Sequence, residues 1–191
     1  MYRGCTLAVL EAKIDPEDSD AVLEHVRAID LDMRWCDPTT PRLFLRDVDV
    51  TDDLRTPEIE QSVSLVSRIP AVRDELVRRQ RGIASREPVV MAGRDIGTRV
   101  LTEALTKVFL DASSGIRARR RLDEEVDAGR SSTFDQVLSA TRRRDELDDS
   151  GQRAVRREQA AEGAVIVDTD MLGIDQVVAA CVDGYRAANG Q

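Results

Sequence analysis

Lysine is almost absent from this chain: of 28 basic residues, all but Lys13 and Lys107 are arginine. Histidine occurs once, as His25 in a helix-like stretch, which excludes a histidine-rich metal centre. Aromatic residues make up 3%, so any core must rest on Val, Leu, Ile and Ala. Cys5, Cys36 and Cys181 are odd in number, far apart and without metal-ligand spacing, which reads as three reduced thiols. No apolar run is long enough to span a bilayer, and no secretory leader pattern opens the chain. The sequence therefore reads as cytoplasmic, with no membrane partner. Excess positive charge is missing too: the net charge of -8 argues against nucleic acid and anionic membranes as partners.

What is present describes an ordinary globular protein. At 191 residues, 41% hydrophobic and 34% charged, the chain is long enough to bury one sizeable core. The arginine excess has two explanations: codon usage in a GC-rich genome, or phosphate capture by the rigid guanidinium fork. Only the positions of the arginines separate the two.

The pattern along the chain alternates. Residues 4–12 look like a helix already under way. Asp18 or Ser19 can cap a helix that runs to about Ile29, with Val22, Val26 and Ile29 on one face. "LDMRWCDPTTPRLFLRDVDV" reads as short strands broken by turns. "TPEIEQSVSLVSRI" has Thr56 as a cap and Pro57 at the first helical position, and a second helix restarts at Pro70. Three short apolar runs follow, at Val89–Met91, Val108–Leu110 and Val165–Val167, separated by helical stretches. Uninterrupted runs of this kind suit parallel strands covered on both faces, giving an α/β fold with a small mixed insertion near residues 30–55.

In such folds ligands sit beyond the carboxyl ends of the strands. "GRDIGT" follows the first run: Gly93 permits close backbone approach, Arg94 offers a fork, and Asp95 can accept from a hydroxyl or amine. Alone it is a weak signal, and a turn with an internal ion pair is the ordinary reading of it. "RARRR" opens a helix after the second run, and Arg117, Arg120 and Arg121 fall on one helical face. Their charges converge on an anion, or they form a solvated face balanced by Asp123, Glu124 and Glu125. "RRRDELDD" (Arg142 to Asp149) repeats the arrangement at a helix end.

Together these stretches resemble the bacterial cytidylate kinases, which pass the γ-phosphate of ATP to CMP or dCMP. The matching segments are "MYRGCTLAVL", "DVTDDLRTPEIEQSVSLVSRIPAVRDELVRRQR", "VVMAGRDIGT", "KVFLDASSGIRARRR", "RRRDELDDS" and "AVIVDT", in the family's order over essentially the whole chain. The resemblance implies a nucleoside monophosphate kinase-like parallel sheet with flanking helices. It implies a single domain over 1–191, with a monophosphate-binding region at 14–85 and a lid at 113–160. It also implies roles. Tyr2 and Arg3 begin the helix lining the monophosphate site, and Ser64 and Arg73 contact cytosine and phosphate. Arg94 lies near phosphate and Asp95 near the sugar or base. Arg120, Arg121 and Arg153 belong to the phosphate-binding lid, and Arg144 and Asp148 to its second helix. ATP and Mg²⁺ are the implied donor and cofactor, CMP and dCMP the implied partners, and the chain is expected to be a monomer.

Some of the family's pattern is not in these residues. Its phosphate-binding loop G-x-x-x-x-G-K-[ST] has no counterpart here, since neither Lys13 nor Lys107 follows a glycine loop. The expectation is a kinase fold lacking its first βαβ unit, and inactive alone. The alternative is a non-catalytic remnant that binds CMP or a protein partner. Ala92 replaces an acid that usually precedes Gly-Arg-Asp, and "RREQ" replaces an expected Pro-Leu near Arg153.

Overall fold

Apolar spacing and helix caps account for most of the architecture. The computed structural model describes residues 1–37, 40–86, 88–127, 129–150 and 156–190, with 147–150 as backbone only. They form two compact units, Met1–Val89 and Val90–Gln191.

In the first unit, helix α1 (Tyr2–Glu11) packs against α3 (Pro57–Arg68), while α2 (Ser19–Ala28) packs against α1 and α4 (Pro70–Ala84). The expected caps are present. Asp18 Oδ1 accepts from Ala21 N at 3.0 Å, and Thr56 Oγ1 accepts from Ile59 N at 3.4 Å ahead of Pro57. Between α2 and α3 stand the antiparallel strands β1 (Leu31–Trp35), β2 (Pro41–Leu45) and β3 (Val48–Asp49). The register pairs Leu31 with Leu45 and Met33 with Leu43, so one face carries the apolar side chains into the core. Gly4 is what lets α1 lie on this hairpin, because a Cβ there would collide with the Leu43 side chain and come within 3.0 Å of Leu31 Cδ1. Cys5, Val9, Val22, Val26, Val72 and Leu76 complete a fully buried centre.

Burial pushes the Cys5 thiol up to about 11. Cys36 is exposed and Cys181 half-buried. A thiol reagent at neutral pH is therefore expected to modify Cys36 first and Cys5 at least about a hundredfold more slowly. Mass mapping of the labelled chain over time checks this order; equal rates at Cys5 and Cys36 would contradict the packing of α1.

In the second unit, β4 (Val108–Asp111) and β5 (Val165–Asp168) pair in parallel, Val108 opposite Val165 and Asp111 opposite Asp168. Helices α5 (Ser114–Asp127) and α6 (Phe134–Ser150) pack on each other, and α7 (Ile174–Ala188) lies on β5. Gly184 makes that last contact close: a Cβ there would stand 3.3 Å from Val165 Cγ2.

One expected strand is not formed. Residues 89–92 form no regular element and have no ladder partner among the described residues, and Val90 is 99% exposed. An apolar run becomes a strand only where a neighbouring edge offers N–H and C=O groups to it. The parallel sheet of the described residues therefore has two strands. On α7, Ile174, Val178 and Val182 leave an exposed apolar stripe at four-residue spacing. No helix of the described residues is long and apolar enough to cross a membrane.

Candidate functional site

The first unit holds four of the sequence-derived site residues. Arg3, near the start of α1, donates from Nη1 to the Leu54 carbonyl at 2.9 Å and lies 3.6 Å from the Glu60 carboxylate. These contacts fix its fork at the junction of α1, α3 and the 3-10 turn Thr51–Arg55. Arg73 is buried on α4, its guanidinium 5.9 Å from the centroid of the Tyr2 ring. Arg73 thus lies against the ring of Tyr2, while the next residue, Arg3, is held by a carbonyl and an acid. Ser64 sits on the exposed side of α3, where its carbonyl accepts from Ser67 Oγ at 3.4 Å.

His25 has an ordinary structural role. Its Nε2 donates to the Ala8 carbonyl at 3.1 Å, tying α2 to α1.

The second unit holds the rest. Arg94 and Asp95 are half-buried and follow the unpaired residues 89–92. The chain then enters a wide turn, Ile96–Val100, in which the Asp95 carbonyl accepts from Arg99 N at 2.9 Å and Val100 N at 3.2 Å. Past the carboxyl ends of β4 and β5, Thr169 donates to the Asp111 carbonyl from both N (2.8 Å) and Oγ1 (2.9 Å). Asp170 Oδ1 accepts from Ser113 N at 2.7 Å just before α5 begins.

The arginines of α5 do not converge on one point. Arg117 makes a two-pronged pair with Asp145 of α6, Nη1 to Oδ1 and Nη2 to Oδ2 each at 2.7 Å. Arg120 donates to Thr169, at 3.1 Å to Oγ1 and 2.6 Å to the carbonyl. Arg121 donates to the buried Thr141 hydroxyl at 3.0 Å. Shared helical spacing places the three on one side of α5, but each reaches a different acceptor. Nor are they balanced only by the acids downstream on the same helix. The Arg117 guanidinium holds the Asp145 carboxyl below the usual carboxylate range, against the opposing effect of burial, and the charges of Arg94 and Arg121 add to it.

Between α5 and α6 lies a crevice of about 290 Å³, lined by Ser114, Arg117, Arg142, Asp145, Glu146 and Arg156. Arg144 is exposed on α6. The Asp148 side chain and all of Arg153 lie outside the described residues. Asp145, Thr141 and Thr169 carried no individual role in the sequence reading, although Asp145 lies inside "RRRDELDD". Among the described residues no group of three or more His, Cys, Asp or Glu side chains is placed to hold a metal ion, so these side chains do not form a cage for Mg²⁺.

Comparison with known proteins agrees with this arginine-rich α/β arrangement. The family model for cytidylate kinase matches residues 1–187. A cytidylate kinase of Corynebacterium efficiens is 46% identical over 179 residues, covering 93% of this chain and 76% of that protein. One from Mycobacterium leprae is 45% identical over 191 residues, 100% of this chain and 82% of that protein. One from Caldanaerobacter subterraneus is 41% identical over 186 residues, 97% of this chain and 80% of that protein. The chain belongs to the cytidylate kinase family.

Proposed function

We propose that this protein is a (d)CMP kinase, transferring the γ-phosphate of ATP to CMP or dCMP, and that its 191 residues carry the acceptor side of that reaction. Family membership over residues 1–187 is the observation that carries the reading. Phosphoryl transfer asks little covalent chemistry of a protein; it asks for positioning and for positive charge near the equatorial oxygens. Tyr2, Arg3, Ser64 and Arg73 in the first unit are proposed contacts for CMP, as are Arg94, Asp95, Arg144 and Asp148 in the second. Arg120, Arg121 and Arg153 are proposed to meet the phosphates in motion, with residues 113–160 acting as a lid. Bidentate arginine contacts suit phosphate oxygens, and Asp95 suits a ribose hydroxyl or an exocyclic amine. Mg²⁺, which prefers water and phosphate ligands, would enter with ATP and neutralise part of the charge on its phosphates.

The donor side stands differently. Residues 1–191 contain no glycine loop ending in Lys and Ser or Thr. Lys107 directs its ammonium at the Glu162 carbonyl, 3.3 Å away, and Lys13 follows α1 at a positive φ of 56°. This chain by itself is therefore proposed to bind acceptor nucleotide without efficient turnover. We further propose that it works as a monomer in the cytoplasm.

The base preference is tested by titrating the chain with CMP, dCMP, UMP and AMP. CMP and dCMP are expected to bind at least about tenfold more tightly than AMP, a difference of roughly 1.4 kcal/mol. A preference for AMP would overturn the substrate assignment.

A further inference from the structure

We propose that Arg117 and Asp145 are positioning residues: a strut between α5 and α6 that sets the geometry of the phosphate-binding arginines around it and so the affinity for the acceptor nucleotide. The inference deepens the kinase reading and rests on it.

The geometry of Arg117 argues against a direct ligand role. Both Nη atoms lie on the Asp145 carboxylate at 2.7 Å, and Nε donates to the Ala112 carbonyl at 3.0 Å. One side chain thereby joins the loop after β4, helix α5 and helix α6. At 31% and 24% exposed, the two partners are more covered than the paired arginines and acids that decorate the surface of this protein. A two-pronged guanidinium–carboxylate pair also fixes orientation, which a single contact cannot do.

Charge gives the pair its second task. Helix α5 carries Arg117, Arg119, Arg120 and Arg121, and the facing α6 carries Arg142, Arg143 and Arg144. Both helices also carry acids, Asp123, Glu124 and Glu125 on α5 and Glu146 on α6 among them, but Asp145 stands where arginines of the two helices meet: its carboxylate takes both prongs of Arg117, feels Arg94 and Arg121, and lines the crevice together with Arg142, Glu146 and Arg156. Removing its charge leaves the arginines to separate, and a displacement of about 1 Å at a phosphate contact is enough to cost up to a hundredfold.

The test compares Asp145→Asn, Arg117→Lys and the conservative Asp145→Glu in the full 191-residue chain. CMP affinity is measured by titration calorimetry, and amide hydrogen exchange is followed across α5, α6 and α7. The strut predicts CMP binding about tenfold weaker in Asp145→Asn and Arg117→Lys, with most of the affinity kept in Asp145→Glu. Exchange should quicken in α5 and α6 and stay unchanged in α7. Faster exchange with unchanged CMP affinity would make the pair a stabilising contact only and overturn the proposal. If the unaltered chain bound no CMP, the acceptor reading would fail by itself. Exchange in α5 and α6 of Asp145→Asn equal to that of the unaltered chain would overturn the strut itself, whether or not CMP binds.

Discussion

Replacing Arg79 by Ala is expected to destabilise the protein by about 3 kcal/mol, a fall in Tm of roughly 6–12 °C for a chain of this length. Arg79 is 14% exposed on α4 and closes the C-terminal end of α2. It donates to the carbonyls of Val26 at 2.8 Å, Ile29 at 3.1 Å and Arg27 at 3.3 Å, groups that a helix end leaves without partners of its own. Its Nε donates to Glu75, one turn earlier on α4, at 2.7 Å. Truncation thus removes a cap from one helix and half the partners of an acid that is only 10% exposed. Arg78 makes a two-pronged pair with Glu75, at 2.7 and 2.9 Å, but is 71% exposed and touches no carbonyl of α2 in these contacts. Arg78→Ala should therefore cost no more than about 1 kcal/mol. Equal losses in the two variants, read by chemical denaturation, would contradict this account of the α2–α4 junction.

The same junction sets a pH dependence. Hydrogen bonds from Arg78, then those from Arg79, hold the Glu75 carboxyl down at about 2 from its usual 4.5, with burial opposing them. Because the folded value lies below the unfolded one, the stabilisation is complete above pH 4.5. It declines as the pH falls from 4.5 toward 2 and is gone below that. Stability of the unaltered chain minus that of Glu75→Gln should be constant near neutrality, at most about 3 kcal/mol, and shrink below pH 4.5.

The second large effect concerns catalysis. In a coupled assay with ATP and CMP, the 191-residue chain is expected to turn over at least about a thousandfold more slowly than relatives that carry the phosphate loop. The arginines described above are proposed to supply charge for an acceptor, whereas the sequence of residues 1–191 contains no G-x-x-x-x-G-K-[ST] loop to cradle the donor phosphates. CMP binding should survive in the same preparation. Loss of turnover with retained binding separates an absent donor site from a chain that has failed to fold. Turnover equal to that of the relatives would refute the proposal.

What could be read from the sequence was what local chemistry dictates. Asp18, Thr56 and Pro57 announce helix starts because their partners lie within three residues. The run at 89–92 misled because apolar continuity shows burial or extension without showing a partner, and Val90 has neither cover nor ladder here. The turn between β2 and β3 was not visible either. Arg46 and Asp47 both adopt positive φ, 51° and 64°, where a two-residue hairpin usually announces itself with Asn-Gly. The candidate site divides in the same way. Position after the apolar runs picked out Arg94 and the α5 arginines, and the family resemblance Arg3 and Arg73, but neither showed the acceptors that aim them. Asp145 lies 28 residues from Arg117, and Thr169 lies 49 from Arg120, so only tertiary structure joins them.

Calorimetric titration of the 191-residue chain with CMP, beside Arg3→Ala and Arg94→Ala, tests the central claim most directly. The account predicts saturable one-to-one binding by the unaltered chain, weakened about 10- to 100-fold by either substitution. A folded chain that gives no binding with CMP raised to about 1 mM, or that binds equally well without Arg3 and Arg94, would contradict it.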